Sequence, residues 1–567
     1  DAQGETTAFL QSELQDCDLS APAGCDRNAN GAIFDHILRV FRLGADGSSA
    51  ASDLLAGVTG PVIGPSVVAP NVAGLNVGTR TGDGFFLGAE PDLAVGEGPV
   101  AVSGDLVFFR VDPAANLPRE ISLVSAGASG TAADDASSDA SVSADGLYAA
   151  FASGADNLAG NSQNSHVYLK SLQTKALQQL SVQDRASCAE TPIRRGNGNS
   201  SDPAVSADGR FVAFDSVATN LLSPPRGPRD DTNGFADVFV ADRLTCAVVR
   251  VSVDSLGMEG NGDSRNASIS GNGRFVVFES VAQNLAANDT NPGLDVFLHD
   301  RDADADGVFD EFTLDAQGQP QIRTTRISLG GAGDALSPAI AGESAEVTFE
   351  TDAALGTEDT NGVTDVAVED GAGGLARVSV ASDGSEGDAG SFAPSISASG
   401  RWIAFESDAT TLDLGTNGGH RALFVHDRET GVTRRVGVIS APRECSLLAD
   451  TGLVPDGDSH DVRISGNGRF LVYRSRATKL DPRDVSPTED VFLEDLRTGA
   501  ITRLSQSGAG VAGNLDSGPA DVSADNSVVV FDSQARNLGP IPSASAGSSV
   551  YASRTQPGGG ARLGVAD

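Results

Sequence analysis

The residues best suited to chemistry in this 567-residue chain are aspartates spaced two apart on a single loop. Residues 302–311 read DADADGVFDE, in which Asp302, Asp304 and Asp306 alternate, Gly307 permits a sharp bend, and Asp310 follows. A hard cation needs several oxygen ligands converging at short range, and this alternation brings carboxylates to one point. Val308, at the seventh position, adds a backbone carbonyl. The stretch therefore matches a D-x-D-x-D-G-x-x-D calcium loop that lacks the distant bidentate glutamate of a full EF-hand. A looser relative, DRNANGAIFD, offers Asp26, Asn28, Asn30 and Asp35, with one extra residue before its last acid.

A second acidic pattern recurs along the chain: DTNGFADVFVADR begins at Asp231, DTNPGLDVFLHDR at Asp289 and DTNGVTDVAVEDG at Asp359. The oxygen-bearing sets are Asp231, Asn233 and Asp237; Asp289, Asn291 and Asp295; and Asp359, Asn361 and Asp365. Two readings fit them. Each set could hold a calcium ion, or Asp and Asn could shape an Asx turn whose last acid accepts backbone N–H groups where a strand begins. A later copy keeps Asp484 and Asp490 around Ser486, and another has Gly415, Asn417 and Arg421 in these places. Such decay is compatible with both readings.

Nucleophilic and phosphate chemistry find no motif: H-E-x-x-H, G-x-S-x-G and the P-loop are all missing from the sequence. Asp458, Ser459 and His460 are adjacent, but sequence neighbours rarely form a triad. His299 and His426 occupy one repeated position, in FLHD and FVHD, which predicts a structural place at a strand end.

These loops must be positioned by something repetitive. The unit at 204–253 opens with AVSADG, continues RFVAFDS, passes a polar loop to DVFVADR and closes with VVRVSV. Copies anchored on the second element fall at Phe151, Phe214, Phe278, Phe349, Phe405, Tyr473 and Phe531, spaced 56 to 71 residues apart. Four apolar runs rich in Val, Ile and Phe, separated by Gly, Asn and Asp turns, predict four antiparallel strands per unit and an all-β chain. Four-stranded units repeated about the chain are the signature of a β-propeller. The set SVATNL, SVAQNL, SGADNL, SRATKL and SQARNL predicts Ala–Leu wedges between blades.

The ADGRFVAF…DVFVADR…RVSV pattern resembles the TolB-type propeller repeat, related in form to WD repeats and found in exported bacterial proteins. The resemblance covers residues 138–566 and implies fold far more than activity. The 302–310 loop likewise resembles the calcium loops of integrin-type propellers. Residues 131–567 are expected to supply seven repeats, and residues 1–130 one or two degenerate blades that close the ring. Eight blades is the leading count, with seven plus an N-terminal extension as the alternative. Strand direction places the DTN loops on one rim and the 302–310 loop on the other.

Composition bounds the partners. With 39 basic and 77 acidic residues, a formal charge of −38, the chain repels nucleic acid and anionic lipid. The uncharged stretch 57–78 is broken by Pro61, Pro65 and Pro70, so no membrane helix is expected. Among the five cysteines no CxxC occurs; Cys17 with Cys25 and Cys188 with Cys246 are the pairings considered, leaving Cys445. With a first residue that is Asp1, these pairs favour a processed, exported, disulfide-permissive protein. The reading is a periplasmic or surface propeller, calcium-stabilised, that scaffolds protein partners of the envelope; a small-molecule substrate is not expected. The alternative is a hydrolase or lyase acting on carbohydrate or lactone in the central channel, disfavoured because the innermost strands read AVS, SIS and RIS.

Overall fold

Six-residue runs of β-branched and aromatic residues, punctuated by turns that take positive φ, favour short strands throughout each repeat. In the computed structural model residues 119–555 are described apart from breaks within loops, the longest at 223–230, 439–455, 482–487 and 540–546. Outside that span only backbone strands are described, at 6–12, 36–43, 49–53, 75–81, 84–89, 101–103, 106–111 and 562–566. Asp26, Asn28, Asn30 and Asp35, as well as Cys17, Cys25 and Cys445, lie outside the described residues.

Seven four-stranded antiparallel sheets form. Blade 2 is typical, with strands Ser200–Val205, Phe211–Ser216, Asp237–Asp242 and Val248–Arg250. Blades 1, 3, 4, 5 and 6 repeat it, starting at Ser137, Ser264, Ala335, Ser391 and Ser459. Blade 7 takes three strands from Ser517–Val522, Val528–Ser533 and Ser549–Thr555, and its fourth is Arg119–Leu123. The count of eight is thereby corrected to seven. REISLVS, at 119–125, begins within the segment 1–130 expected to form degenerate blades, but it completes the last blade, so the two ends of the repeat array share a sheet. Upstream, Thr6–Ser12, His36–Leu43 and Ser49–Asp53 form one sheet, and Ala101–Ser103 and Leu106–Val111 form another with Arg562–Ala566.

The second-strand aromatics carry the packing. All seven, from Phe151 to Phe531, are fully buried, and six of them stack on a third-strand ring at centroid distances of 5.6 to 6.0 Å. The Ala–Leu wedges behave as expected. Ala218 and Leu221 of blade 2 pack with Val167, Leu169 and Leu180 of blade 1, and Ala282 and Leu285 join Val238 and Val240 across the next gap.

The first hairpins are chained to one another by backbone hydrogen bonds. The N–H of Asp145 donates to Ala207 O (3.3 Å), Ala207 to Gly271 O (2.9 Å), Gly271 to Gly342 O, and Gly342 to Ala398 O (3.1 Å). Ala398 then donates to Gly466 O (3.0 Å), Asn467 to Ala524 O (3.3 Å), and Ala524 back to Ala144 O (3.0 Å), closing a ring through seven blades. Only small residues fit there: a Cβ on Gly342 would lie 2.8 Å from that of Ala398. This end of the axis is a collar of alanine and glycine.

Candidate functional site

The antiparallel meander places each loop between second and third strands on the rim opposite the first hairpins. The DTN loops lie on that rim, and their carboxylates already have a counter-ion. In blade 2 the strand-leading Asp237 is fully buried; Ser252 donates its hydroxyl to Oδ1 (2.6 Å), and Arg250 donates to Oδ2 (3.1 Å). Arg250 also reaches Glu259 at 2.9 Å, and its field acts on Asp231. In blade 3 Arg326 bridges Asp289 (3.2 Å) and Asp295 (2.5 Å). In blade 4 Arg377 sits among Asp359 (3.7 Å), Asp365 (3.1 Å) and Glu386 (2.9 Å). Each arginine stands on the fourth strand of its own blade or at its end, so one buried cation draws the loop, third strand and fourth strand together.

The asparagines serve as turns. Asn233 Oδ1 accepts the Phe235 N–H (2.8 Å) while its Nδ2 donates to Gly260 O (2.9 Å). Asn361 repeats this with Val363 N–H (3.1 Å) and Gly387 O (2.8 Å). In blade 6 the same staple forms between Arg503, Asp490 (3.4 Å) and Asp481 (3.0 Å); Asp481 therefore fills the place the sequence had given to Asp484. Burial pushes Asp237 up to about 6 against the pull of Arg250.

The 302–311 loop is different. It joins the third and fourth strands of blade 3, on the collar rim, where the fields of Asp302 and Asp304 reach Arg274 in the first hairpin. Ala305 (φ 58°) and Gly307 (φ 87°) bend it. Buried Asp302 accepts the N–H groups of Asp306 (3.0 Å) and Gly307 (3.2 Å), and Asp306 accepts that of Val308 (2.8 Å). Among the described residues, one carboxylate oxygen each from Asp302, Asp304 and Asp306 lie within 4.8 Å of one another.

The last position departs from the expected ligand set. Arg301 holds Asp310 by two hydrogen bonds, Nε to Oδ1 at 2.8 Å and Nη2 to Oδ2 at 2.5 Å. Glu311 turns to the cluster instead: partial desolvation, then the fields of Asp306, Asp304 and Asp302, push its carboxyl up. Gln321 spans Asp304 (3.3 Å) and Glu311 (3.1 Å). The three carboxylates of Asp302, Asp304 and Asp306 form an all-oxygen, acid-rich donor set suited to a hard cation.

The histidines and the serine cluster are structural. Thr324 and Thr433 donate their hydroxyls to carbonyls of the preceding blade and accept from Nδ1 of His299 and His426 at 2.8 Å. Burial lowers His299 to about 4. Ser459 donates to Ser475 (2.9 Å), the same pair that Ser200 and Ser216 make in blade 2, while Asp458 faces His420.

One constellation matches no motif of fixed spacing. In four blades the penultimate residue of the second strand is an acid reaching into the next blade, where it accepts the N–H of the third residue of the first strand. Asp215 takes that of Asn266 (2.9 Å), Glu279 that of Ser337 (3.0 Å), Glu350 that of Ala393 (2.7 Å) and Glu406 that of Asp461 (2.6 Å). Those donors have φ between 47° and 56°, each at a register shift. Blade 6 carries Arg474 there, opposite Pro519, which has no N–H to offer. The signal was present in the repeated F-D/E-S ending.

This is a seven-bladed propeller. No family model matches the sequence, and no curated protein matches it. Solved structures with similar architecture include the oligogalacturonate lyase of Vibrio parahaemolyticus (13% identity, 82% of this chain and 98% of that one, TM-score 0.40). The propeller domain of the Trilobed protease of Pyrococcus furiosus has 11% identity over 76% of this chain and 94% of that one, with TM-score 0.42. TolB of Acinetobacter baumannii has 12% identity over 72% and 77%, with TM-score 0.30. The fold assignment rests on the sheets and closed ring of this chain itself.

Proposed function

We propose that this protein is an exported, calcium-stabilised propeller that serves as a non-catalytic scaffold for protein partners at the cell envelope or surface. The observation that carries the reading is how the repeat uses its polar groups. Buried arginines, serines and acids are spent fixing the loops of one rim to their own blades, which gives a rigid framework for binding. On the other rim Asp302, Asp304 and Asp306 would hold calcium, whose role is to neutralise and order the hairpin. The Cys188–Cys246 disulfide, with Cα atoms 5.1 Å apart, ties blade 1's outer loop to blade 2 and suits an oxidising compartment.

The test is binding by the full chain, immobilised with calcium or with chelator, to the envelope fraction of its own cells. The scaffold reading expects one saturable partner whose capture repeats with purified components. A second reading, an enzyme, is favoured by one observation: Asp532, at the channel mouth, is pushed up to about 7 by burial and by Asp139. Turnover of a carbohydrate or lactone that is lost in Asp532→Asn would replace the scaffold reading.

A further inference from the structure

The two acidic features on the rims do not account for the carboxylates around the channel mouth. The first strands of successive blades touch one another in a closed ring, so their third residues and the cross-blade acids surround the axis at the end away from the collar. Charge is unevenly distributed round this mouth. In blades 5 and 6 Glu406 lies 3.5 Å from both Arg421 and His460, and Asp461 is paired with Arg474. From blade 7 through blade 4 the arc holds Asp532, Asp139, Asp202, Asp215, Glu279 and Glu350, with Arg265 as the cation acting on Asp215 and Asp202. That arginine is itself paired with Asp263 at 3.3 Å.

Among the described residues, two oxygens on this arc lack donors. Asp215 is only 3% exposed; its Oδ2 takes the Asn266 N–H, while its buried Oδ1 has no hydrogen-bond partner. Asp532 Oδ1 is the second, and its carboxylate lies over the innermost strand, where a Cβ on Gly518 would meet Oδ2 at 2.4 Å. A buried carboxylate oxygen without a donor is costly, and a ligand N–H would remove that cost. Burial, and then the neighbouring acids, push Asp215 well above the usual carboxylate range and also raise Asp202 and Glu279.

The spacing selects the class of ligand. Among the described residues only Asp302, Asp304 and Asp306 gather oxygens tightly enough for one metal ion. The arc offers its acids blade by blade, which suits separate N–H-bearing charges along a chain. We propose that the channel mouth, along the arc from blade 7 to blade 4, binds an extended organic cation carrying two or more ammonium or guanidinium groups. The cation is either a free polyamine or a basic segment of a protein, and the chemistry is common to both.

Titration calorimetry on the calcium-saturated full chain, at low and physiological salt, tests this with spermidine, tetralysine and magnesium chloride as probes. One saturable site is expected for spermidine or tetralysine, weakened about tenfold in Asp202→Asn/Asp532→Asn and unchanged in Asp315→Asn, in the turn before the fourth strand of blade 3 on the opposite rim. Melting curves confirm that the variants fold, and Asp215→Asn gives a second, isosteric probe of the buried oxygen. A response to tetralysine alone assigns the cation to a peptide; a response to spermidine assigns it to a free amine. Equal weakening by Asp315→Asn would reduce the effect to the general −38 field and overturn the proposal. So would tight binding of magnesium alone, or no binding by either amine.

Discussion

The DTN loops and the 302–311 loop are both aspartates on a bend, yet they differ in where the positive charge comes from. At the DTN loops it is built in: Arg250, Arg326 and Arg377 lie among the carboxylates, with side chains 1%, 8% and 10% exposed. At 302–311 the one neighbouring buried arginine, Arg301, is committed to Asp310, and Asp302, Asp304, Asp306 and Glu311 are left to repel one another. Spacing of acids along a chain therefore specifies a convergence of negative charge without specifying what neutralises it. That choice is made by a residue on another strand.

Removing the built-in cation should have the largest effect. In Arg250→Ala the buried Asp237 would keep Ser252 but lose its ion pair, and Glu259 and Asp231 would lose the same partner. Breaking one side of a buried pair costs about 3–5 kcal/mol. Denaturant unfolding should show that loss equally with calcium and with chelator. A loss below about 1 kcal/mol would mean that the loop does not depend on its staple.

The external cation comes next. Saturating calcium, at about a hundred times its dissociation constant, stabilises a folded site by about 2.7 kcal/mol. Chelation should lower the melting temperature accordingly, Asp304→Ala should abolish the response, and Asp231→Ala should leave it intact. If Asp231→Ala blunted the response as much as Asp304→Ala, the contrast between the two rims would collapse.

Much of this contrast is readable from residues, though from pairs on separate strands more than from single loops. The strands, the hairpin turns and the Ala–Leu wedges follow from local patterning, and the structure bears them out. Blade number did not, because REISLVS resembles every other fourth strand and pairing across the chain's ends leaves no local mark. The staple had a signal inside the repeat itself. Where the third strand begins with Asp, at Asp237, Asp295, Asp365 and Asp490, the fourth strand carries R-x-S: Arg250 with Ser252, Arg326 with Ser328, Arg377 with Ser379 and Arg503 with Ser505. Blade 1 begins its third strand with His166 and has Gln179 before Ser181. Blade 5 keeps an arginine at that register, Arg435 opposite Phe424, although its third strand begins with Ala422, so the acid is always met by arginine while the arginine outlasts the acid; hairpins of unequal length hid the pairing from a fixed-spacing motif. The pairing of Asp310 is likewise hidden from the loop motif, since its partner Arg301 lies before the loop.

A third state of carboxylate sharpens the comparison: one buried with neither a paired arginine nor a cluster. Glu494, 4% exposed on the third strand of blade 6, accepts the Gly437 N–H at 2.7 Å and is pushed by burial up to about 7. The native chain then holds this proton up to neutral pH, whereas the unfolded chain releases it near 4.5. The native state binds more protons between those values, so stability must fall as pH rises through the window, on the order of 1 kcal/mol per pH unit. Asp427 behaves oppositely: Arg401 holds it down to about 2, and its contribution fades only on acidification below about pH 4. Chelator-treated protein should therefore be most stable near pH 4 to 5. Glu494→Gln, isosteric and uncharged, should flatten the decline between pH 5 and 7 while leaving the acid limb where it was. An unchanged slope in that variant would show that Glu494 ionises in place, its charge met by Arg434 as the DTN acids are met by theirs.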